Sequence, residues 1–521
     1  MIARRTLVLA AAALLAPGAM AQWSTDSGSN LSVADRSGEQ VQAKIRPTAD
    51  GGCYISWFDN STGGYDVYLQ RLNKLGVEQW AHNGILLCDR GVSSTVDYDL
   101  IVDADGNAVI TYNDDHLTMG GAQQISVQKV SPGGEKLWGD FGVMLTDSTE
   151  FKGNPRVVAL ADGSYVAGWS SGSPQTWTMV KLDAEGDQLW STNINEPSRY
   201  LALSDFKPTP DGFIALWVRG STASASTSSK ALYTQKFDAS GSPLWNSGSP
   251  VIVFNTTSVQ NGYFPTFLSD GEGGGIYGWY EIGGSRNAYI QHVNSDGTFR
   301  FASPIANSVV TSRIRISAGL AYDDVGGNYY LSSTESNAGA QGNYSVIVNK
   351  ISGEGDRLWG DGGVTVVPTG TSNQSAFVQT VALGEDCVVA GIDSRSATTD
   401  IIFAARVNGD QSIPWSILPS STVVDKARLA MTQSHCGDVL LAWTNGASSS
   451  GDVQAQNIRV GGMLGRTCEA DFDGDGFITG QDFDAFVGMF EAGDLCADFD
   501  NDGFLTGIDY DAYVQAFEAG C

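Results

Sequence analysis

Asp471, Asp473, Asp475, Gly476 and Asp482 stand at positions 1, 3, 5, 6 and 12 of a twelve-residue loop. Asp498, Asp500, Asp502, Gly503 and Asp509 repeat those positions 27 residues later. Alternate positions of a tight loop can turn three carboxylates onto one point, which suits a hard cation such as Ca2+ that takes six to eight oxygens. Glycine at position 6 permits the sharp reversal. Phe477 and Phe504 offer a backbone carbonyl at position 7, and Thr479 and Thr506 offer a hydroxyl at position 9, reaching through water. Asp482 and Asp509 close the two shells. The chemistry expected is the binding of two Ca2+ ions, not catalysis.

A short amphipathic helix is expected after each loop. Phe483, Phe486, Val487 and Phe490 recur at helical spacing, as do Tyr510, Tyr513, Val514 and Phe517. Gly493 and Gly520 stand where a helix C-cap glycine belongs. No helical pattern precedes the first loop, so each unit is loop–helix, half an EF-hand, with Asp instead of Glu at position 12. The tandem from Cys468 to Cys521 resembles a type I dockerin in its loops, its position-12 Asp and its duplication. That resemblance implies calcium binding and docking to a cohesin-type partner. Two features depart from the family. Gly480–Gln481 and Gly507–Ile508 replace the usual hydroxyl pairs, and the basic residues of dockerin helices are absent. Residues 466–521 carry 14 acidic residues against Arg466 alone. So small and so acidic a segment is expected to fold poorly without its metal.

The chain begins like a secretory leader. Arg4 and Arg5 precede an apolar stretch from Thr6 to Ala16, and Ala19-Met20-Ala21 forms a small-x-small site, so cleavage after Ala21 is expected. The apolar run is too short to span a bilayer, and a secreted or cell-surface location follows. Formal charge is −28, or about −30 without the two leader arginines, which disfavours nucleic acid and anionic membranes as partners. Seven cysteines in an oxidising compartment imply disulfides with at least one cysteine left over. Cys53 with Cys88 is the pair expected first, and Cys387 with Cys436 a weaker one. Cys468, Cys496 and Cys521 belong to the tail.

Residues 22–465 are a degenerate repeat of about 55 residues. Its mark is a Trp after a Gly-containing turn (Trp80, Trp138, Trp190, Trp245, Trp359, Trp415), with Phe299 or Phe301 in one copy. A strand with a recurring Gln lies upstream (Gln70, Gln128, Gln235, Gln291, Gln456), after a strand ending in an aromatic (Trp57, Tyr112, Trp169, Trp217, Trp279, Trp443). Short Val-, Ile- and Tyr-rich strands between Gly, Asp and Asn turns at this period indicate a mainly β fold, a β-propeller. Eight blades are expected, or seven if residues 300–358 are irregular. The eighth copy lacks its Trp strand. Gln22-Trp23 and Leu31-Ser32-Val33 are expected to supply it and close the ring. The Trp segments also resemble those of quinoprotein propellers. The adjacent cysteine pair of many quinone dehydrogenases is missing, so no cofactor beyond calcium is expected.

Residues repeated in every blade read as scaffold: Trp packing between blades, Gln satisfying turn backbone. His82, His116, His292 and His435 scatter over different blades and read as loop or surface residues. Asp114-Asp115-His116 reads as a polar turn that could hold a cation or act in acid–base work. Trp177, Tyr280 and Arg286 depart from the repeat and could line a sugar-binding face. No nucleophile elbow, P-loop or zinc-protease motif occurs, and no sialidase Asp box is recognisable. The function expected is a secreted adaptor, with the propeller binding an extracellular polymer or protein and the tail docking. The alternatives are a dockerin-bearing polysaccharide-degrading enzyme, a glycosyl hydrolase or lyase whose catalytic residues the sequence leaves unknown, and a purely structural surface protein.

Overall fold

The computed structural model describes residues 22–520, apart from 93, 116–122, 148–149, 173–175, 284–285, 340, 373, 397–398 and 467. The leader expected at 1–21, His116 and Cys521 lie outside the described residues. Eight separate antiparallel sheets form the eight blades of a propeller. Blade one is Gln40–Pro47, Cys53–Asp59, Asp66–Leu72 and Ile85–Cys88. The first strand of each blade packs against the first strands of its neighbours, so these strands wall a central channel. A full blade is present over 313–372, so the count is eight. Its inner strand is broken into Arg313–Arg315 and Gly319–Asp323, both paired with Asn328–Asn337. Blade eight runs Lys426–Gln433, Val439–Asn445 and Asp452–Ile458, and takes its outer strand from the N-terminus. Leu31 pairs with Ala455 and Ser32 with Gln454.

The repeated residues do the work of cohesion. Trp138 Nε1 donates to Ala184 O at 3.1 Å, Trp245 Nε1 to Ser295 O at 2.9 Å and Trp415 Nε1 to Val460 O at 3.1 Å. Each Trp thus reaches the Trp-bearing turn of the next blade. Trp23 does the same for blade one, donating to Lys74 O at 3.1 Å. The glycine beneath each ring is needed for contact as well as conformation. At Gly297 (φ +85°) a Cβ would lie 2.7 Å from the Trp245 ring, and at Gly462 2.6 Å from Trp415. In blade five the place is held by Phe301, which is buried, while Phe299 is exposed. The repeated Gln clamps its own turn. Gln235 Oε1 accepts from Trp245 N at 2.9 Å and its Nε2 donates to Ser249 O at 2.9 Å. Gln456 donates across the closure to Ser24 O at 3.0 Å.

Strand direction gives the ring two unlike faces. First strands begin on the upper face, which also carries the loops between blades and between second and third strands. The lower face carries the first hairpin turns and the Trp-bearing turns. The tail folds as helices α1 (Gly480–Ala492) and α2 (Gly507–Ala519), each following its acidic loop. Phe486 stacks on Tyr513 at 3.9 Å in their shared core. Gly493 caps α1 at φ +74°, and the Gly520 N–H caps α2.

The cysteines correct the sequence reading. Cys53 and Cys88 are free and buried. Cys53 lies opposite Leu72 and Cys88 opposite Val67, near the two ends of the intervening strand. Five residues of strand at roughly 3.3 Å each keep them far beyond disulfide reach. Cys387 is also free and buried. Cys436, on a lower turn of blade eight, is bonded instead to Cys496 of the tail, 60 residues on. Cys468 is disulfide-bonded too.

Candidate functional site

Each acidic loop brings three of its four expected aspartates together, and Asp482 of the first loop and Asp502 of the second fall outside these groups. Carboxylate oxygens of Asp471, Asp473 and Asp475 lie within 4.8 Å of one another, and so do those of Asp498, Asp500 and Asp509. The backbone holds each loop in shape. Asp475 N donates to Asp473 at 3.0 Å, Asp502 N to Asp500 at 3.1 Å and Phe504 N to Asp502 at 2.9 Å. The position-12 residues, Asp482 and Asp509, are fully buried. Asp482 accepts from Asp473 N at 3.1 Å and Thr479 N at 2.8 Å, and Asp509 accepts from Phe499 N at 2.8 Å and Thr506 N at 2.8 Å. Thr479 and Thr506 are the N-caps of α1 and α2 and complete capping boxes with these aspartates. The Phe477 and Phe504 side chains are exposed.

The donor set fits a hard cation. Asp498 Oδ1 is buried with no hydrogen-bond partner, which an oxygen awaiting a metal would be. Burial raises the pKa of Asp473 and Asp498, and neighbouring carboxylates add to it.

Both loops are fastened to the lower face. Arg459, at the end of blade eight, gives Nη1 to Asp471 Oδ2 at 2.7 Å and Nη2 to Asp471 O at 2.6 Å. Gly461 N donates to Gly474 O at 2.9 Å. Lys74, in blade one, donates to the carbonyls of Cys496 and Asp498, and burial pulls its ammonium down to about 8. His435 faces Asp494 at 3.2 Å. Lys74 O is also the acceptor for Trp23, so the tail straddles the seam where the N-terminal strand closes the ring. Sequence reasoning missed the attachment of the tail there, because neither Lys74 nor Arg459 belongs to a motif.

The upper face opens on a cavity of about 730 Å³ at the channel mouth, lined among others by Gln42, Asp97, Phe151, Asn154, Tyr263 and Arg428. Four blades bulge at one register of their first strands, placing Gln42, Asn154, Phe377 and Arg428 at φ between 50° and 57°. Non-glycine residues are strained there, a pattern that clusters at ligand sites. Phe151 is 55% exposed and Phe377 39% exposed. Arg428 lies 5.8 Å over the Phe377 ring and makes no ion pair among the described residues. Asp97 meets Lys44 at 3.0 Å and Arg156 at 2.5 Å. Burial works to raise its pKa, but the two cations outweigh it and hold the carboxyl well below its usual range. Burial pushes up the phenols of Tyr263 and Tyr200. The signal for this site was present in the sequence as unlike residues at one repeated register.

The channel-walling strands invert the charge of the chain. They carry Lys44, Arg46, Lys152, Arg156, Lys207, Arg313, Arg315, Lys426 and Arg428 against Asp99, Asp205 and Asp323. The whole protein has 58 acidic residues to 30 basic.

Other candidates resolve differently. Trp177 is fully buried against Phe206 and Trp217, so it is core and not a sugar platform. Tyr280 packs behind Tyr263 at 4.6 Å and donates to Gln260. Arg286 is exposed and does not line the mouth. Asp114 is a buried strand end and not a turn, accepting from Ser126, and Asp115, also buried, accepts from Gly91 N. His292 is core rather than surface, held between Tyr329 at 2.6 Å and Asp270 at 2.9 Å. His82 is a surface residue paired with Glu78 and Asp35. Among the described residues no helix is long and apolar enough to cross a membrane.

No family model matches this chain, nor does any curated protein. Solved structures align with this chain only distantly. A PL25 ulvan lyase bound to -[GlcA(1-4)Rha3S]- has a TM-score of 0.42 and 11% identity, covering 85% of this chain and 96% of that one. Polysaccharide lyase Uly1 has a TM-score of 0.41 and 10% identity, covering 85% and 93%. The GH93 α-L-arabinofuranosidase of Fusarium graminearum has a TM-score of 0.33 and 13% identity, covering 59% and 93%. Likeness this distant carries no argument about activity.

Proposed function

We propose that this protein is a secreted adaptor. Its propeller holds an extracellular polysaccharide at the upper channel mouth, and its dockerin-like tail, folded around two Ca2+ ions, docks to a cohesin-type partner. The observation that carries this reading is the opposition of the two sites: the mouth opens on one face and the tail is fastened to the other, so both can be engaged at once. Docking is supported by apolar side chains that the propeller leaves uncovered. Phe477 is 71% exposed, Phe504 70% and Ile508 65%. Phe477 and Phe504 are equivalent in the two loops, so the tail offers a nearly two-fold apolar surface.

The second reading is a polysaccharide lyase or glycosyl hydrolase. It is favoured by Arg428 and Tyr263 lining one cavity, a cation and a phenol of the kind that could meet a uronate. Two features weigh against it. Hydrolysis uses two carboxylates at a set separation, and Asp97, committed to Lys44 and Arg156, is the one carboxylate among the described residues lining the mouth. A phenol whose pKa is raised is a poor base near neutrality. The test is retention of the full-length protein on a panel of plant and algal polysaccharides, with the soluble phase assayed for new reducing ends and unsaturated uronates. Retention without product supports the adaptor. Product supports the enzyme. Neither retention nor product leaves the purely structural surface protein.

A further inference from the structure

We infer that the upper channel mouth selects an anionic saccharide, one bearing a carboxylate or a sulfate ester, and that Arg428 is its charge partner. The inference rests on the polysaccharide-binding reading above and specifies what that site would take.

Charge is the first observation. In a protein of net charge −28, an anion would be repelled by most of the surface. The channel-walling strands reverse the local sign, with nine basic residues to three acidic. A concave wall with an excess of one sign favours the opposite sign at its opening.

Availability is the second. Most of these cations are already committed. Lys152 pairs with Glu150, Lys207 with Asp205, and Arg313 and Arg315 with Glu335. Lys44 and Arg156 share Asp97, which leaves that trio with one positive charge in excess. Arg428 is exposed, lines the mouth and has no carboxylate partner among the described residues. Its planar fork matches a carboxylate or sulfate with two parallel hydrogen bonds.

Geometry is the third. Arg428 is held at φ +57° by a bulge between Ala427 and Ala430. A left-handed conformation is costly for a non-glycine residue and persists where the surroundings impose it. The guanidinium lies over Phe377, itself at φ +50°. Phe151, 55% exposed in the same lining, offers an apolar plane of the kind on which a sugar ring stacks. Gln42 and Asn154 at the matching register of other blades supply amides for hydroxyl groups. Cation, apolar plane and amides converging on one cavity are what a charged sugar residue requires.

The experiment uses the full-length protein and three probes: polygalacturonate for the carboxylate, dextran sulfate for the sulfate ester, and unmodified dextran as the neutral polymer. A wider set of neutral plant and algal glycans is run alongside. Binding is measured at low and at moderate salt for wild type, Arg428→Gln and Arg428→Lys. The expected result is at least tenfold tighter binding to one anionic probe than to any neutral glycan, weakened by salt. Arg428→Gln should abolish that preference, and Arg428→Lys should retain part of it. The probe preferred tells carboxylate from sulfate. If the protein binds neutral glycans as tightly as both anionic probes, or Arg428→Gln leaves the preference intact, the inference is overturned while the polysaccharide reading stands. If wild type binds no glycan at all, the polysaccharide reading fails and the inference with it.

Discussion

Arg459→Met tests whether the propeller and the calcium loops share a carboxylate. Arg459 is 2% exposed and spends two nitrogens on Asp471, the first residue of the first loop. Removing one partner of a buried ion pair leaves the other charge uncompensated, at a cost of about 3–5 kcal/mol. At about 1.4 kcal/mol per decade, that is a hundred- to a few-thousandfold rise in local opening of the tail. A Ca2+ ion on the same loop would compensate Asp471 in place of the guanidinium, so the cost should shrink towards that of two ordinary hydrogen bonds, about 0.5–1.5 kcal/mol each. Hydrogen exchange of peptides from residues 468–520 in the full-length protein reads both cases. In chelator the variant should exchange far faster than wild type, and in saturating calcium the difference should fall at least tenfold. By linkage the variant should also gain more protection from calcium than wild type does. The same increase with and without calcium would refute the shared carboxylate, because then no cation reaches Asp471 from the loop.

Other outcomes follow from the same structure. Replacing Cys436 and Cys496 with Ser opens a 60-residue loop, worth about 4 kcal/mol of chain entropy. Calcium removal should then release the tail from the lower face, seen as a larger hydrodynamic radius, while the disulfide-bonded wild type stays compact. Gln235→Ala strands the buried N–H of Trp245 and should cost about 1–3 kcal/mol for that group left unpaired, read as a lower denaturant midpoint. Arg428→Gly relieves a strained backbone and should stabilise the fold by about 1 kcal/mol or more while weakening glycan binding, opposite signs that thermal melts and affinity measurements would separate. Because Asp97 has a depressed folded pKa, its contribution is present above the ordinary carboxylate value of about 3.9 and lost as pH falls below it. Asp97→Asn should therefore flatten the acid limb of a melting-temperature profile.

The blades were legible because their marks are periodic and local. Trp245, Gln235 and Gly241 each serve a contact within one turn or the next blade, and the same contact recurs around the ring. Ring closure was legible for the same reason, since Trp23 completes a count that stood one short. What joins distant segments was not. Cys436 and Cys496 carry no spacing signal, and pairing cysteines by nearness in the repeat favoured Cys53 with Cys88, which strand register keeps apart. Trp177 looked exceptional because it breaks the repeat, yet it breaks it inward, filling space between Phe206 and Trp217. The channel mouth escaped because a bulge is a backbone event. Gln42, Asn154, Phe377 and Arg428 share a register and a left-handed φ but no residue type.

The adaptor account stands on simultaneous engagement of two faces without turnover. The direct measurement is a sandwich: full-length protein is loaded on the immobilised polysaccharide that retains it best, and a cohesin-bearing protein is passed over it with calcium and then with chelator. The account expects the cohesin to be retained on the loaded surface only with calcium, with no unsaturated uronate or new reducing end in the flow-through. Release of the protein from the glycan by the cohesin, calcium-independent retention, or steady appearance of product would contradict it.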